Sequence, residues 1–215
     1  FVGSEGCFGV ALDITVRLTR KPAAVRTALA DFMDVADASH ATSAIIASGV
    51  VPAALEFMDS GVIRVVEQSI FAAGYPIDAA AILLIEVDGT VESTDADMDL
   101  VRKLCMECGA RSVRVATNET ERARLWQGRK KAFGAMGRLA PNLAVQDAVI
   151  PRTRLAEVLA QIHAIADSHG VTVCNVFHAG DGNLHPNISY DAGDPDQVRR
   201  VHESMAAMMQ ACIAA

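Results

Sequence analysis

Residues 171–190 read VTVCNVFHAGDGNLHPNISY, in which two apolar stretches flank a short loop that contains two glycines. Residues 171–178 and 184–190 predict two strands, and the loop over 179–183 predicts that they form a hairpin. Gly180 and Gly182 permit the positive backbone angles that so sharp a reversal requires. The stretch therefore indicates that at least part of the sheet is antiparallel.

Outside this hairpin, the rest of the chain alternates between strand and helix patterns. Residues 81–87, AILLIEV, form a near-continuous apolar run, which predicts a central strand covered on both faces. The alternation predicts an α+β fold, namely a ferredoxin-like sandwich with a mainly antiparallel sheet and helices packed on one face. The remaining predicted strands are 9–18, 43–48, 111–116 and 145–150, and the predicted helices are 22–39, 52–66, 95–108, 118–139, 155–168 and a last helix from Asp194.

Composition excludes several classes of protein. The 215 residues are 51% apolar and 21% charged, which argues against disorder. A net charge of -7 and only 5% aromatic residues predict that nucleic acid is not a partner. No apolar run reaches the roughly 18 residues of a membrane span. Five cysteines, an odd number, favour a reducing cytosolic compartment over a disulfide framework.

The hairpin loop carries the residues with the clearest chemical potential. His178 and His185 flank the loop, so the two imidazoles can converge on one point. Neutral imidazole is a common ligand of zinc or manganese, and Asp181 or Asn183 could orient such a ligand. Two histidines do not complete a metal site, because catalytic zinc usually has three protein ligands. The alternative is a plain hairpin turn with solvated histidines.

Residues 178–185, HAGDGNLH, match the HxGDGNxH signature of a known family. In this respect the chain resembles the FAD-linked 2-hydroxy-acid oxidases and dehydrogenases of the vanillyl-alcohol-oxidase-type superfamily, which include enzymes for glycolate, D-lactate and D-2-hydroxyglutarate. Three further stretches resemble that family in the same order: residues 1–18, residues 125–133 with their LWxxRK pattern, and residues 147–151, DAVIP.

The resemblance implies a division of the chain and a set of site residues. Residues 1–20 would be the last strand of an FAD-binding domain, and residues 21–215 a C-terminal substrate domain truncated before its end. The implied site residues are His178 and His185 for a divalent metal, zinc or manganese; Arg129 and Asn187 for the substrate; and Gly3, Ser4, Glu5 and Gly6 for backbone contact with the flavin.

Part of the family's machinery is expected outside this sequence. Relatives supply a third metal ligand, a Glu, and the expected catalytic base, a His, from an E-H-G motif that would lie beyond Ala215. The glycine loops that bind the FAD phosphates are also expected elsewhere. The chain alone is therefore expected neither to hold FAD tightly nor to turn over.

The implied activity is oxidation of a small 2-hydroxy acid, of the glycolate or D-lactate type, to the 2-oxo acid by hydride transfer to FAD. The expected location is the cytoplasm, at the inner membrane when the protein joins partner subunits of an oxidase complex. Two alternatives stay open. The chain could be a non-catalytic binding or assembly module of the same fold, or a metal-dependent hydrolase that uses Asp181 as its carboxylate.

Overall fold

The structure, a computed structural model, describes residues 1–4 and 6–215. From Ala24 onward the chain alternates between strands and helices, with short 3-10 turns at Arg152–Arg154 and Ala179–Asp181. The strands are β1 Ala24–Phe32, β2 Ala54–Asp59, β3 Ala81–Gly89, β4 Ala110–Val115, β5 Asn142–Val145, β6 Ala148–Val149, β7 Thr172–His178, β8 Asn183–Leu184 and β9 Pro186–Tyr190. The helices are α1 Val35–Ala47, α2 Ser60–Glu67, α3 Val91–Glu107, α4 Glu119–Lys130, α5 Ala132–Met136, α6 Leu155–His169 and α7 Pro195–Ala214.

The first half of the fold is a ferredoxin-like unit. Its strands lie in the order β4-β1-β3-β2, and every neighbouring pair is antiparallel. Helices α1 and α3 connect β1 to β2 and β3 to β4, which is the β-α-β-β-α-β arrangement. Strand β7 then pairs with β2, and β8 and β9 pair with β7 in turn. The predicted α+β class and the mainly antiparallel sheet are confirmed.

Strand β3 is the centre of the sheet, as its apolar run predicts. It lies between β1 and β2, and residues Ala81 to Ile85 are fully buried. Both faces of this strand are covered, so neither face needs polar side chains. The alternation of side chains along the strand divides the core into two parts, one on each face of the sheet.

Helices cover both faces of the sheet. Leu83 and Ile85 belong to a core cluster that includes buried residues of α1, α3, α6 and α7, whereas Ile82 and Leu84 belong to a second cluster with buried residues of α2, α4 and α5. The two helices of the ferredoxin-like unit lie together on the first face, so the predicted one-sided packing holds for these two helices alone. The second helical layer was not predicted, and it is the layer that carries Arg129 on α4.

Three elements predicted between residues 22 and 66 are wrong. The helix predicted over 22–39 is replaced by strand β1, and the strand predicted over 43–48 lies inside helix α1. Strand β1 is paired on both edges, and its last six residues are buried on both faces. Its apolar residues therefore form a run that a helical period fits equally well.

The third error concerns the helix predicted to start at Pro52. Residues 54–59 form strand β2, and helix α2 begins only at Ser60. The start of the helix is fixed by Asp59, whose carboxylate accepts a hydrogen bond of 3.1 Å from the Val62 amide. An aspartate at this position is a strong N-cap, and it marks the boundary that the sequence pattern obscured.

The strand predicted over 9–18 does not form in this structure. Residues 9–20 are exposed and belong to no strand. A strand is stabilised by hydrogen bonds to a neighbouring strand, and no described residue supplies such a neighbour here. The turn that the preceding glycines predict is present, because Gly3 and Gly6 both have φ of 80°.

Elements in the second half agree better with the sequence. Asn118 caps α4 through a 2.9 Å hydrogen bond from the Glu121 amide, and Gly170 ends α6 with φ of 60°. The predicted helix over 118–139 is divided into α4 and α5, and α3 begins at Val91 after a Thr90 cap rather than at Asp95. Of the strand predicted over 145–150, only Val145, at the end of β5, and the two residues of β6 lie in strands.

Within residues 1–4 and 6–215 there is neither a disulfide nor a helix suited to cross a membrane. All five cysteines are free thiols. Burial raises the pKa of Cys105 to about 12, and the neighbouring Cys108 thiol adds to the rise, so this CxxC pair suits packing better than redox chemistry. Among the described residues, no helix combines the length and the apolar character needed to cross a bilayer.

Candidate functional site

The hairpin brings His178 and His185 together. His178 ends β7 and pairs with Asn183 across the turn, and the chain then returns along β8 and β9. Gly182 sits at the reversal with φ of 70°, where an added Cβ would collide with the carbonyl oxygen of Ile150. Only glycine fits this position without strain, so the turn depends on it.

The two imidazole rings meet edge to face. Their centroids are 5.5 Å apart and their planes are inclined at 84°. The convergence that the sequence predicts is therefore present in the structure. His185 is largely covered, whereas the His178 side chain is 46% exposed, so one side of the pair remains open to solvent.

Each histidine has a carboxylate beside its Nδ1 atom. The Nδ1 of His178 lies 2.8 Å from Oε1 of Glu56, and the Nδ1 of His185 lies 3.7 Å from Oδ1 of Asp147. A metal-binding histidine commonly donates one ring N–H to a carboxylate and binds the metal through the other nitrogen. His178 fits that pattern through Glu56, whereas the 3.7 Å between His185 and Asp147 is too long for a hydrogen bond. Within residues 1–4 and 6–215, no group of three His, Cys, Asp or Glu side chains is placed to hold a metal.

Arg129, on helix α4, contacts the same carboxylate that His178 contacts. It is buried on α4, and its Nε and Nη2 atoms lie 2.8 Å and 2.7 Å from Oε2 of Glu56. The structure thus joins Arg129 to His178 through one carboxylate. Its Nη1 makes no hydrogen bond within the described part of the chain, so one edge of the guanidinium can still donate to an anion.

Glu56 is the residue that the sequence analysis missed. It is 6% exposed in strand β2, and its neighbour in the strand pairing is His178. A buried glutamate in an apolar strand needs partners, because an unpaired carboxylate is costly to remove from water. The sequence ALEFMD contains that signal, but its partners lie 73 and 122 residues away along the chain.

Asn187 is fully buried and lies next to the histidines. Its Nδ2 donates to the carbonyl oxygens of Cys174, at 3.1 Å, and of His185. Its Oδ1 has no hydrogen-bond partner among the residues that the structure describes, and the same is true of Asn183 Oδ1. Buried amide oxygens normally accept a hydrogen bond, so these two atoms are candidates for contact with a bound hydroxyl or water.

A cleft of about 550 Å³ opens beside this cluster. The residues that line it are Glu56 and His178, Gly180 and Asp181 of the hairpin loop, and the apolar stretch before β2. Arg152 adds a positive charge to the lining and donates a 3.1 Å hydrogen bond to the Gly180 carbonyl. The volume lies within the usual range for small-molecule sites.

Three of the four residues predicted to contact flavin, Gly3, Ser4 and Gly6, belong to the described N-terminal segment. Gly3 and Gly6 are exposed, and the Cys7 amide donates a 2.9 Å hydrogen bond to the carbonyl of Ser4. Glu5 lies outside the described residues. The contact of this turn with a flavin stays a prediction.

Comparison with solved structures identifies the class of fold. The structure of p-cresol methylhydroxylase with substrate bound matches with a TM-score of 0.67, over 89% of this chain and 44% of its own. Sequence identity in that match is 14%, so it shows the fold alone. The class is an α+β domain that also occurs within this larger protein.

Sequence comparison identifies the family. Residues 21–215 match the family described as FAD linked oxidases, C-terminal domain, and the chain belongs to it. Over 99% of its length the chain is 44% identical to the glycolate oxidase subunit GlcD of Escherichia coli, and over 94% it is 30% identical to a probable mitochondrial D-lactate dehydrogenase of Danio rerio. It spans only 42% and 40% of those two relatives.

Proposed function

We propose that the protein carrying this chain oxidises a small 2-hydroxy acid, of the glycolate or D-lactate type, to the 2-oxo acid with FAD as the hydride acceptor. The observation that carries the proposal is that Glu56 joins Arg129 to His178, whose ring lies 5.5 Å from that of His185 and which lines a cleft together with Glu56. Family membership supports the flavin chemistry, and the names of the relatives in Escherichia coli and Danio rerio support the substrate class.

In this proposal Arg129 binds the substrate carboxylate. Its Nε and Nη2 edge is occupied by Glu56, so the carboxylate would meet the Nη1 edge. A guanidinium suits this task because its planar N–H groups match the geometry of a carboxylate. Asn187 offers its free Oδ1 as an acceptor for the substrate hydroxyl or for water near it.

His178 and His185 would hold a divalent cation, zinc or manganese, through their Nε2 atoms. When bound, such a cation lowers the pKa of the substrate hydroxyl. The oxidation removes the hydroxyl proton and a hydride from the adjacent carbon, and the hydride passes to FAD. The imidazoles, the guanidinium and Asn187 orient the acid, while the flavin supplies the redox chemistry. A third ligand and the proton acceptor would come from outside the described residues.

The decisive variant is His185→Ala in the full-length flavoprotein. We expect it to lose the bound metal and at least 100-fold of the rate at which glycolate or D-lactate bleaches the flavin absorbance. Metal content is measured by mass spectrometry and bleaching by stopped-flow absorbance. The matched control is His202→Ala, since His202 is an exposed histidine on α7.

The same measurements separate the alternatives. Normal metal content and normal flavin reduction in His185→Ala would refute the proposed site. A full-length protein with metal but without flavin would favour the hydrolase, and one with neither would favour an assembly module.

Partner subunits are part of the proposal as well. The Escherichia coli and Bacillus subtilis relatives are both named as subunits of glycolate oxidase, which supports assembly with other chains. We expect the native protein to migrate in gel filtration at a mass above that of its own polypeptide. A cytoplasmic location, at the inner membrane within such a complex, stays a prediction.

A further inference from the structure

Each of the two carboxylate oxygens of Glu56 contacts a different functional group. Oε1 lies 2.8 Å from Nδ1 of His178, and Oε2 lies 2.8 Å and 2.7 Å from Nε and Nη2 of Arg129. We propose that Glu56 is a positioning residue that fixes the tautomer of His178 and the orientation of Arg129, and so links the metal subsite to the carboxylate subsite. This inference rests on the proposed function of those two residues.

The first consequence concerns which ring nitrogen of His178 is free. A carboxylate offers only acceptors, so a neutral His178 must carry its proton on Nδ1 to bond with Glu56. The lone pair of the ring is then on Nε2, the atom that must bind a metal. With the other tautomer, Nε2 would carry a proton and could not act as a ligand.

The second consequence concerns Arg129. Its Nε hydrogen bond and its Nη2 ion-pair contact both go to the same oxygen of Glu56 and come from one edge of the guanidinium. Because the guanidinium is planar and rigid, fixing this edge also fixes the direction of the Nη1 edge. Glu56 therefore decides how the arginine is presented to a bound acid.

The strand pairing explains why a residue on β2 can act on both groups. Glu56 is directly opposite His178 in the pairing of β2 with β7. Its side chain points to the face of the sheet that α4 covers, where Arg129 lies. Glu56 and Arg129 are both buried, so water competes little for these bonds and their geometry is well defined.

The test is Glu56→Gln in the full-length protein, with Glu86→Gln as the matched control. Glu86 also accepts two hydrogen bonds from an arginine of α4, Arg122, at 2.9 Å and 3.0 Å, but it touches neither His178 nor Arg129. In Glu56→Gln, we expect the amide oxygen to face the buried Arg129 cation and the amide nitrogen to face His178. The amide then donates to Nδ1, and the ring proton moves to Nε2.

Two measurements test whether Glu56 sets the tautomer of His178. In metal-free protein labelled with ¹⁵N-histidine, and with the signals assigned through His178→Gln, we expect the Nδ1 resonance to change from protonated to unprotonated in Glu56→Gln only. By calorimetric titration with Zn²⁺, we expect the affinity of Glu56→Gln to fall about 10- to 100-fold. The affinity of Glu86→Gln should be unchanged, and excess Zn²⁺ should restore part of the turnover of Glu56→Gln with glycolate or D-lactate.

The outcomes separate this inference from the proposed function. If Glu56→Gln keeps the Nδ1-protonated tautomer, or binds Zn²⁺ as tightly as Glu86→Gln, Glu56 has no positioning role. If His178→Gln binds Zn²⁺ like the wild type, the proposed metal site itself fails, and the ¹⁵N measurement still decides whether Glu56 sets the tautomer.

Discussion

Two carboxylate–arginine pairs connect helix α4 to the sheet. Each joins an arginine of the helix to a glutamate of a strand, but the two pairs differ in their surroundings. Arg122 and Arg129 are two helical turns apart, and they bind Glu86 on β3 and Glu56 on β2, which are neighbouring strands. Glu86 also accepts hydrogen bonds from Thr27 and Trp126. The second oxygen of Glu56 instead contacts a histidine that lines a cleft, His178.

The difference shows how a structural ion pair can be told from one at a functional site. Arg122 uses its remaining Nη1 on Glu119, so each of its three guanidinium nitrogens already has a carboxylate partner. The pair of Arg129 with Glu56 has an open Nη1 edge and a partner, His178, that is itself partly exposed. Burial and charge alone do not mark a site, because many buried ion pairs serve only the fold. Open hydrogen-bonding capacity beside a cleft is the more specific sign.

Of the substitutions considered, replacement of Arg129 by Met should have the largest effect on stability and on substrate binding. The variant leaves Glu56 buried with one partner, which should reduce the free energy of unfolding by about 3–5 kcal/mol. It should also raise KM for the 2-hydroxy acid, because the substrate carboxylate loses its cation. Urea unfolding and steady-state kinetics of the full-length protein measure both effects. An unchanged KM in folded Arg129→Met would remove the substrate role of this arginine.

The equivalent replacement of Arg122 should cost less. Glu86 keeps its hydrogen bonds from Thr27 and Trp126, so we expect Arg122→Met to lose about 1–3 kcal/mol of unfolding free energy. Zinc affinity and KM should remain at wild-type values, because no atom of this pair contacts the histidines. A loss of zinc affinity in Arg122→Met would show that the two pairs are not independent.

The smallest expected effect is on the pH dependence of stability. Burial alone would raise the pKa of Glu86, but hydrogen bonds from Arg122, Thr27 and Trp126 outweigh it and hold the pKa below its ordinary value of 4.5. Glu86 therefore stabilises the fold above that value, and the contribution is lost as the pH falls through the lowered pKa. Between about pH 5 and 3, the unfolding free energy should fall less steeply in Glu86→Gln than in the wild type. Equal slopes would contradict the lowered pKa.

The sequence predicted the local features of the site well. The two glycines, the flanking histidines and the apolar strands on either side fixed the hairpin, because all of these signals lie within twenty consecutive residues. Asn118 and Gly170 likewise marked helix ends through local chemistry. Each of these features depends on hydrogen bonds or backbone angles of residues close in the chain.

The features that were missed depend on distant partners. The apolar residues of β1 predict a helix equally well, because the two strands that pair with it on either side, β3 and β4, are distant in the sequence. Glu56 could not be recognised because its arginine and its histidine lie far along the chain. An isolated glutamate within ALEFMD indicates only that some partner must exist.

The pairing of β2 with β7 involves three residue pairs, and it connects the ferredoxin-like unit to the second half of the chain. Glu56 and His178 are paired at one end of this contact, 122 residues apart in sequence. Bringing two residues together across so long a stretch of chain costs conformational entropy, so this contact forms late if contacts form in order of sequence separation. A ligand that needs both residues therefore recognises only chains whose two halves have already joined, which makes occupancy of the cleft a measure of completed folding.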